Sequence, residues 1–117
     1  MATWDDVRAL AAALPEVEES TTYRKPALKV RGKSFAWLSP HAPALALNCD
    51  PDERPLIVAS QPEVYYWTPH YEDWSGIVLV RLEHVTDLDD LRERIEESWE
   101  LARAASGRRS ARRGRAS

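Results

Sequence analysis

The sequence predicts an α+β domain, a two-layer sandwich in which helices cover one face of an antiparallel sheet. Three observations predict it. An amphipathic helix opens the chain, and a second, longer amphipathic helix lies near its end. Between them the apolar residues change to the alternation that is typical of strands, interrupted at Gly and Pro by turns. The expected order of elements is α-β-β-β-α-β-β-α.

The first helix is predicted from its cap and its apolar face. The Thr3 hydroxyl can accept from the free amides of the opening turn, and Asp6 stands at the third helical position, as in a capping box. Pro15 is expected to end the helix, because it cannot donate to the backbone ladder. Spacings of three and four then place these residues on one buried face: Trp4, Val7, Leu10 and Leu14.

Residues 26–38 are predicted to form a β-hairpin with Gly32 and Lys33 in a two-residue turn. A slip of one residue would bury a lysine and an arginine, so the register is expected to hold. The predicted covered face holds Leu28, Val30, Phe35 and Trp37. The predicted wet face holds Lys29, Arg31, Ser34 and Ala36.

The remaining elements follow from local patterns. Alternation predicts a strand over 44–49, and Pro55 favours a short or late-starting helix that ends near Ala59. Residues rich in aromatic and β-branched side chains predict strands over 64–68 and 77–82. Thr86 or Asp87 is expected to cap the last helix. Its apolar stripe is Leu88, Leu91, Ile95, Trp99 and Ala102.

Composition limits the class of protein. Hydrophobic residues make up 44% and charged residues 30%, as in an ordinary globular domain. The segment SGRRSARRGRAS has no large apolar residue, so residues 1–105 are expected to form the domain and 106–117 a disordered Arg-rich tail. No run approaches the roughly 20 apolar residues of a membrane span. A cytoplasmic monomer is expected, and a single cysteine, Cys49, suits a reducing compartment.

Charge is segregated along the chain. The formal net charge is −3, yet the segment 21–49 has no carboxylate and five bases, and the tail has five arginines and no acid. The acids are concentrated in 1–20 and 50–105. Two stretches of a net acidic chain would therefore attract polyanions.

Four stretches together resemble the MmcQ/YjbR family, in order along the chain from about Thr3 to Ala105. They are ALPEVEES, YRKPALKVRGKSFAWL, DPDERPLIVASQPEVYYWTPHY and DLDDLRERIEESWELA. The resemblance implies a secretion-chaperone-like two-layer fold, which has been likened to a double-wing DNA-binding module. It implies no catalytic residues, because the family is largely one of unknown function.

Counting residues argues against a catalytic, metal or cofactor site. The body has only Gly32 and Gly76, too few for a glycine-rich phosphate loop, and no cofactor is expected. The three histidines fall at none of the close helical spacings of metal ligands. Cys49 is expected to be a buried structural residue. An enzyme that uses His70 as an acid–base group stays open as a minor alternative.

Two surfaces are candidates for binding. The first is a basic patch, which would bind phosphates, with Tyr65 or Trp67 stacking a base if they share its face; charges that only protect the sheet face are the alternative. The second is a recognition loop of aromatic residues, which alternatively covers an edge of the core. The patch comprises Arg24, Lys25, Lys29, Arg31 and Lys33. The loop residues are Trp67, His70, Tyr71 and Trp74.

The sequence thus predicts a noncatalytic binding module with weak, phosphate-directed binding of DNA or RNA through the basic hairpin, aided by the tail. The alternative is a protein-binding adaptor that docks a peptide on the sheet face or on the loop 67–74.

Overall fold

A computed structural model describes the backbone of residues 2–22, 24–39 and 44–116, and the side chains of 2–21, 24–39 and 44–105. Three α-helices, six strands and two short 3-10 helices make up this part of the chain. The helices are α1 (Trp4–Ala11), α2 (Arg54–Ser60) and α3 (Leu88–Ala116). The strands are β1 (Val17–Thr22), β2 (Lys25–Val30), β3 (Lys33–Leu38), β4 (Leu45–Asn48), β5 (Tyr65–Tyr66) and β6 (Ile77–Val80), and the 3-10 helices are Pro69–Tyr71 and Leu82–His84.

All six strands form one antiparallel sheet in the order β1-β2-β3-β4-β6-β5. Helices α1 and α3 pack on one face over a continuous apolar core. The predicted α+β sandwich is therefore confirmed. Large, fully buried members of this core include Val7, Phe35, Leu45, Leu91 and Ile95.

The first helix begins as predicted. Thr3 and Asp6 form the capping box, in which each side chain accepts from the other residue's backbone amide. The helix ends at Ala11, four residues before Pro15, and Leu14 packs on the core from the turn that follows. A helix of eight residues therefore presents a shorter apolar face than the spacing indicated.

The predicted order of elements lacked one strand. Residues Val17–Thr22 form β1 and pair along their whole length with β2. This strand lies at the edge of the sheet, where it buries little surface, and it has a single large apolar residue, Val17. Because pairing rather than burial stabilises it, its sequence lacks the apolar alternation of a half-buried strand.

The register of the hairpin β2–β3 also differs from the prediction. The turn residues are Arg31 and Gly32, with φ of 51° and 80°, as in the type I′ turn that two-residue hairpins favour. Lys29 pairs with Ser34 but Leu28 pairs with Ala36, so Phe35 is the extra residue of a β-bulge. Because of the bulge, the side chains of the residues that follow it lie on the face opposite to the predicted one. Ala36 joins the helix-side core, whereas Trp37 lies in a second apolar cluster on the opposite face.

A serine on α3 satisfies the backbone at the bulge. The Ser98 hydroxyl is fully buried and donates to the carbonyl of Phe35, and it accepts from the amide of Asn48 at 2.8 Å. The Asn48 side chain donates to the carbonyl of Ser34. Ser98 thus fixes α3 to β3 and β4 where the ladder between these strands ends.

Helix α2 is short and starts late, as predicted, because Pro55 lies in its first turn, where a missing amide costs little. Helix α3 has the bounds Leu88–Ala116, and the disordered tail over 106–117 stays a prediction. The side chains of 106–117 lie outside the described residues, and the domain boundary at residue 105 stays a prediction.

Candidate functional site

The face of the sheet opposite α1 and α3 is the candidate site, and we call it the open face. Paired residues of antiparallel strands lie on the same face, so the register assigns its members. One row crosses the whole sheet and consists of Ser20, Ala27, Trp37, Ala46, Leu79 and Tyr66. Neighbouring strands are about 4.8 Å apart, so this row spans roughly 24 Å.

Aromatic side chains form a cluster on the open face. Trp37, Tyr66 and Trp67 are half-buried and pack on a small buried base formed by Ala44, Ala46, Tyr71 and Leu79. Ala27 and Ala46 flank Trp37 in the row, and their small side chains leave space on both sides of the indole ring. The cluster therefore presents three half-buried rings on the open face.

Tyr65, unlike its neighbour Tyr66, points to the helix side. It is 1% exposed, and its hydroxyl donates to Asp90 of α3. The suggestion that Tyr65 stacks a base is therefore wrong, while Trp67 does lie in the open-face cluster. Burial raises the pKa of Tyr66, so its ring is neutral at physiological pH.

The structure separates the five cations of the predicted basic patch. Lys25 and Lys29 alternate with Ala27 on β2 and lie on the open face. Arg24 is exposed in the turn before β2 and has a φ of 65°. Arg31 lies in the hairpin turn, and Lys33 pairs with Val30 and lines a hollow beside Ala102 of α3.

Carboxylates of β1, the strand that was not predicted, and of the loop before it lie beside part of this basic patch. Arg31 forms a 3.0 Å ion pair with Glu16, and Glu18 stands opposite Lys29 in the β1–β2 register. The prediction that Lys29 and Arg31 project from one face of a strand is therefore wrong. It failed because the turn includes Arg31 rather than Lys33.

The predicted recognition loop is folded over one end of the open face. Tyr71 is 2% exposed, and its hydroxyl lies 2.9 Å from that of Ser39, so this ring belongs to the core. His70 is exposed and makes edge contacts with the rings of Tyr71 and Trp74. Trp74 is 55% exposed, so this ring is available to a partner.

A buried arginine that sequence reasoning missed holds this loop in place. Arg54, the first residue of α2, is 5% exposed. Its guanidinium stacks on the ring of Trp67 at 4.2 Å. It donates to four carbonyls at 2.9 to 3.3 Å: those of Tyr71, Glu72 and Trp74 in the loop, and that of Ile77 at the start of β6. The carbonyl dipoles compensate the buried charge, since no carboxylate lies within ion-pair distance of Arg54 among the described residues.

The described residues show no arrangement typical of catalysis. They contain no group of three or more His, Cys, Asp or Glu that could hold a metal ion. A cavity of about 310 Å³ lies between α2 and α3, and two of the polar side chains that line it, Tyr65 and Asp90, bond to each other. Asp90 accepts from both Tyr65 and Gln61 there. No helix of the described part is long and apolar enough to cross a membrane.

Cys49 is 4% exposed, and its thiol donates to the carbonyl of Ser75 at 3.7 Å. Burial raises the pKa of this thiol to about 11. The thiol is therefore protonated at neutral pH and has little nucleophilic character, as expected for a structural cysteine.

Comparison with known proteins places the chain among relatives of the same size. The family model described as YjbR matches residues 12–101. Uncharacterized proteins of Mycobacterium tuberculosis and Mycobacterium bovis are each 32% identical to the chain, over 85% of its length and 87% of theirs. The crystal structure of a Deinococcus radiodurans protein with the domain DUF419 superposes with a TM-score of 0.70 at 23% identity. The superposition covers 92% of this chain and 89% of the Deinococcus chain, and this likeness shows the fold alone.

Proposed function

Since the chain belongs to the YjbR family, whose function is not established, we propose from its own surface that it is a noncatalytic module that binds single-stranded nucleic acid weakly on the open face. The observation that carries the proposal is the position of Lys25 and Lys29 on the same face of the sheet as Trp37, Tyr66 and Trp67. A cationic strip beside stacking rings is the combination that single-strand binding uses.

The distribution of charge supports this surface. The open-face positions of β2 to β6 include two lysines and no acid, and β1 adds only Glu18 to this face. The first described turns of α3, by contrast, hold six carboxylates, on the helix side of the molecule: Asp89, Asp90, Glu93, Glu96, Glu97 and Glu100. A polyanion is therefore repelled more strongly from the helix layer than from the sheet, where Glu72, which accepts from the indole N–H of Trp67, is the acid at the aromatic cluster.

Two further cations border the aromatic cluster. The Arg81 guanidinium lies 3.9 Å from the centre of the Tyr66 ring, and that of Arg54 lies against Trp67. Such contacts hold each ring in one orientation. A base that stacks on a fixed ring loses less entropy than one that must also order it.

The lysines and the Arg-rich segment make separable contributions. Two lysines give a weak, phosphate-directed contact, and the five arginines beyond residue 105 add a sequence-independent attraction. We expect the affinity to be low and to fall steeply with salt. Stacking on the open face would supply the part that depends on single strands.

Anisotropy titrations of a short labelled single-stranded oligonucleotide against the full chain, at several salt concentrations, test the proposal. Reversing Lys25 and Lys29 to glutamate should weaken binding and reduce the slope of log K against log salt by about 1.4, since each phosphate contact contributes about 0.7. The matched control is Arg92→Glu, an exposed cation on α3, which should leave the slope nearly unchanged.

The tail is tested in the same titrations by replacing its five arginines with serine in the full chain. The proposal requires the effect of the lysine reversal to persist in that background. A lysine reversal without effect in either background would exclude the open face as the binding surface.

A peptide-binding adaptor is the second candidate, and one observation favours it. Trp74 is 55% exposed on a loop that Arg54 fixes in position, as is typical of an aromatic anchor for a protein partner. Recovery of one protein in stoichiometric amount from a nuclease-treated extract, lost with Trp74→Ala, would support this candidate. Retention by the variant would argue against it.

A further inference from the structure

The strand β1 forms an edge of the sheet that can pair with a further strand. It lies at one end of the strand order, so only β2 pairs with it. This pairing runs along the whole of Val17–Thr22 without a bulge, and the segment contains no lysine or proline. Bulges, lysines and prolines are devices by which proteins keep an edge from pairing with another chain. At the other end of the sheet β5 is only two residues long, so β1 offers the longer stretch of backbone.

The register shows which backbone groups of β1 point outward. Thr21 stands opposite Pro26, which has no amide hydrogen, so these two residues cannot exchange two hydrogen bonds. Hydrogen-bonded and non-hydrogen-bonded pairs alternate along an antiparallel ladder, so the amides and carbonyls of Val17, Glu19 and Thr21 point away from β2. Among the described residues, no backbone group outside the sheet bonds to Glu19 or Thr21.

The two-residue turns on either side of β2 give the same assignment. The pairs that flank such turns are hydrogen-bonded, and here they are Thr22–Lys25 and Val30–Lys33. Because Val30 bonds toward β3, its partner Val17 has no ladder bonds to β2.

The carboxylates at this edge already have cationic neighbours in the same chain. Their neighbours are Arg31 for Glu16, at 3.0 Å, Arg8 for Glu19, in a second ion pair, and Lys29 for Glu18, opposite in the β1–β2 register. The charge along the edge is therefore balanced. A partner need not be cationic, and a second copy of the same edge is not excluded by charge.

The sequence of β1 allows a register of self-pairing that keeps glutamates apart. In an antiparallel pair of two copies, outward groups face outward groups, so positions 17, 19 and 21 pair only with one another. One such register pairs 17–21 and places Glu19 opposite its own copy, where like charges destabilise a strand pair. The other pairs 18–22, with Ser20 opposite Ser20 and Glu19 opposite Thr21. In this second register no glutamate faces another.

The register centred on Ser20 also brings opposite charges near each other on the open face. Glu18 comes opposite residue 22 of the second copy, which in turn pairs with Lys25 of that copy. One row of the joined sheet therefore places Glu18 between Lys29 of its own chain and Lys25 of the second copy. The Cα atoms of Glu18 and that Lys25 are two strands, or about 10 Å, apart, and their charged ends can come closer.

We propose that two copies of this chain pair through β1, antiparallel about a two-fold axis at Ser20, in place of the monomer expected from the sequence. Glu19 and Thr21 exchange main-chain hydrogen bonds across the axis. Because the axis is perpendicular to the sheet, both open faces lie on the same side of it. The row from Tyr66 to Ser20 continues into the second copy, with the two Trp37 Cα atoms about 24 Å apart. The pairing does not rest on the proposed nucleic-acid binding, but it joins the two surfaces proposed for it.

Cysteine cross-linking of the full chain tests the pairing and its register together. The two Ser20 residues form a non-hydrogen-bonded pair, whose Cα atoms are about 4.5 Å apart, a distance that a disulfide can span. Ser20→Cys should therefore give a covalent dimer on oxidation at high protein concentration. Glu18→Cys is the matched control, because this exposed residue of the same face lies about 14 Å from its copy and should stay monomeric. The native thiol of Cys49 is buried.

Sedimentation velocity of the nuclease-treated full chain tests the pairing without a cross-link. One pair of short strands buries less than roughly 1,200 Å², so the dimer should be weak and should form only at high concentration. Thr21→Pro removes one outward amide hydrogen from each copy and should raise the dissociation constant about tenfold or more. Thr21→Val keeps that hydrogen and should leave the constant nearly unchanged. Both variants should fold, since an edge strand tolerates proline where its nitrogen faces solvent, and circular dichroism checks this.

Four results would overturn the proposal. They are no covalent dimer of Ser20→Cys, an equal yield with Glu18→Cys, a wild-type monomer at every concentration up to about 1 mM, or a dimer that Thr21→Pro leaves unchanged. None of them would affect the proposed binding of nucleic acid, because one copy has a complete open face of its own.

Discussion

Replacing Arg54 with methionine is the sharpest test of how the loop over the open face is held. Methionine can fill the space of the aliphatic stem but donates nothing to the four carbonyls that Arg54 now binds. The buried carbonyl of Tyr71 keeps its bond from the Trp74 amide, so the loss there is that of one hydrogen bond to a charged donor, about 1.5–3 kcal/mol. Loss of the stacking on Trp67 adds about 1 kcal/mol.

The other three carbonyls are partly accessible and can regain water. The total loss of stability is therefore about 3 kcal/mol, which for a domain of this size lowers Tm by roughly 15 °C. Arg54→Lys keeps the charge but not the planar fork, and should lose about half as much. Urea unfolding measures both values. Arg92→Met, on an exposed face of α3, is the control and should change stability by less than about 0.5 kcal/mol.

Amide exchange locates the effect in Arg54→Met, where we expect protection to fall first in 67–77 and only later in α3. A loss below about 1 kcal/mol would refute the reasoning, because it would mean that the bonds from Arg54 add little to those that water and the loop amides make with these carbonyls. Loss of protection throughout the sheet, with none specific to the loop, would also refute it.

Three further predictions concern single buried groups. Ser98→Ala should lower the free energy of unfolding by about 2 kcal/mol in urea titrations, because the buried carbonyl of Phe35 and the partly buried amide of Asn48 lose the partner that Ser98 provides. A loss under about 0.5 kcal/mol would contradict that role. Tyr65→Phe should lower the free energy of unfolding by about 1–2 kcal/mol in the same assay, since the Tyr65 hydroxyl bonds to Asp90. Tyr66→Phe should lower it by less than about 0.5 kcal/mol, and equal losses would count against the assignment of the two rings to opposite faces. Burial raises the pKa of the Cys49 thiol from 9.0 to about 11, so its thiolate fraction at pH 8 should be about a hundredfold lower than in the unfolded chain and its alkylation at least that much slower. Stability should fall as the pH rises from about 9 to 11, because the unfolded chain then loses the proton that the folded chain keeps. Equal alkylation rates with and without urea would contradict this.

The sequence predicted those parts of the fold whose stabilisation is local. The capping box of Thr3 and Asp6 and the apolar stripe of α3 depend on residues three or four apart, so each is visible in a short window. The stripe is buried from Leu91 to Ala102, but Leu88, which was predicted to belong to it, is 45% exposed. The late start of α2 followed from Pro55 for the same reason.

The edge strand and the bulge were not predictable from such windows. β1 forms because β2 offers it a ladder, and its own sequence, VEESTT, has the composition of a loop. The bulge at Phe35 is stabilised by Ser98, 63 residues further along the chain. Patterns within the hairpin could not show that Trp37 would move to the open face.

The candidate site was predicted only in part, because some of its residues depend on local alternation and others on the turn register or on distant contacts. Lys25 and Lys29 reach the open face because alternation along β2 holds, whereas Arg31 and Lys33 depended on the turn register. Nothing in the sequence indicated that Arg54 is buried, because an arginine in the segment DERP is typical of a solvated helix start. Its burial depends on the loop carbonyls that fold around it.

Amide chemical-shift mapping of the full chain with a short single-stranded oligonucleotide tests the central claim most directly. The account predicts that the perturbed residues follow the open-face row, with the largest shifts at Ala27, Trp37 and Tyr66 and small shifts on α1 and α3. Shifts confined to the helix layer or to the arginine-rich segment beyond residue 105, with the row unchanged, would contradict it.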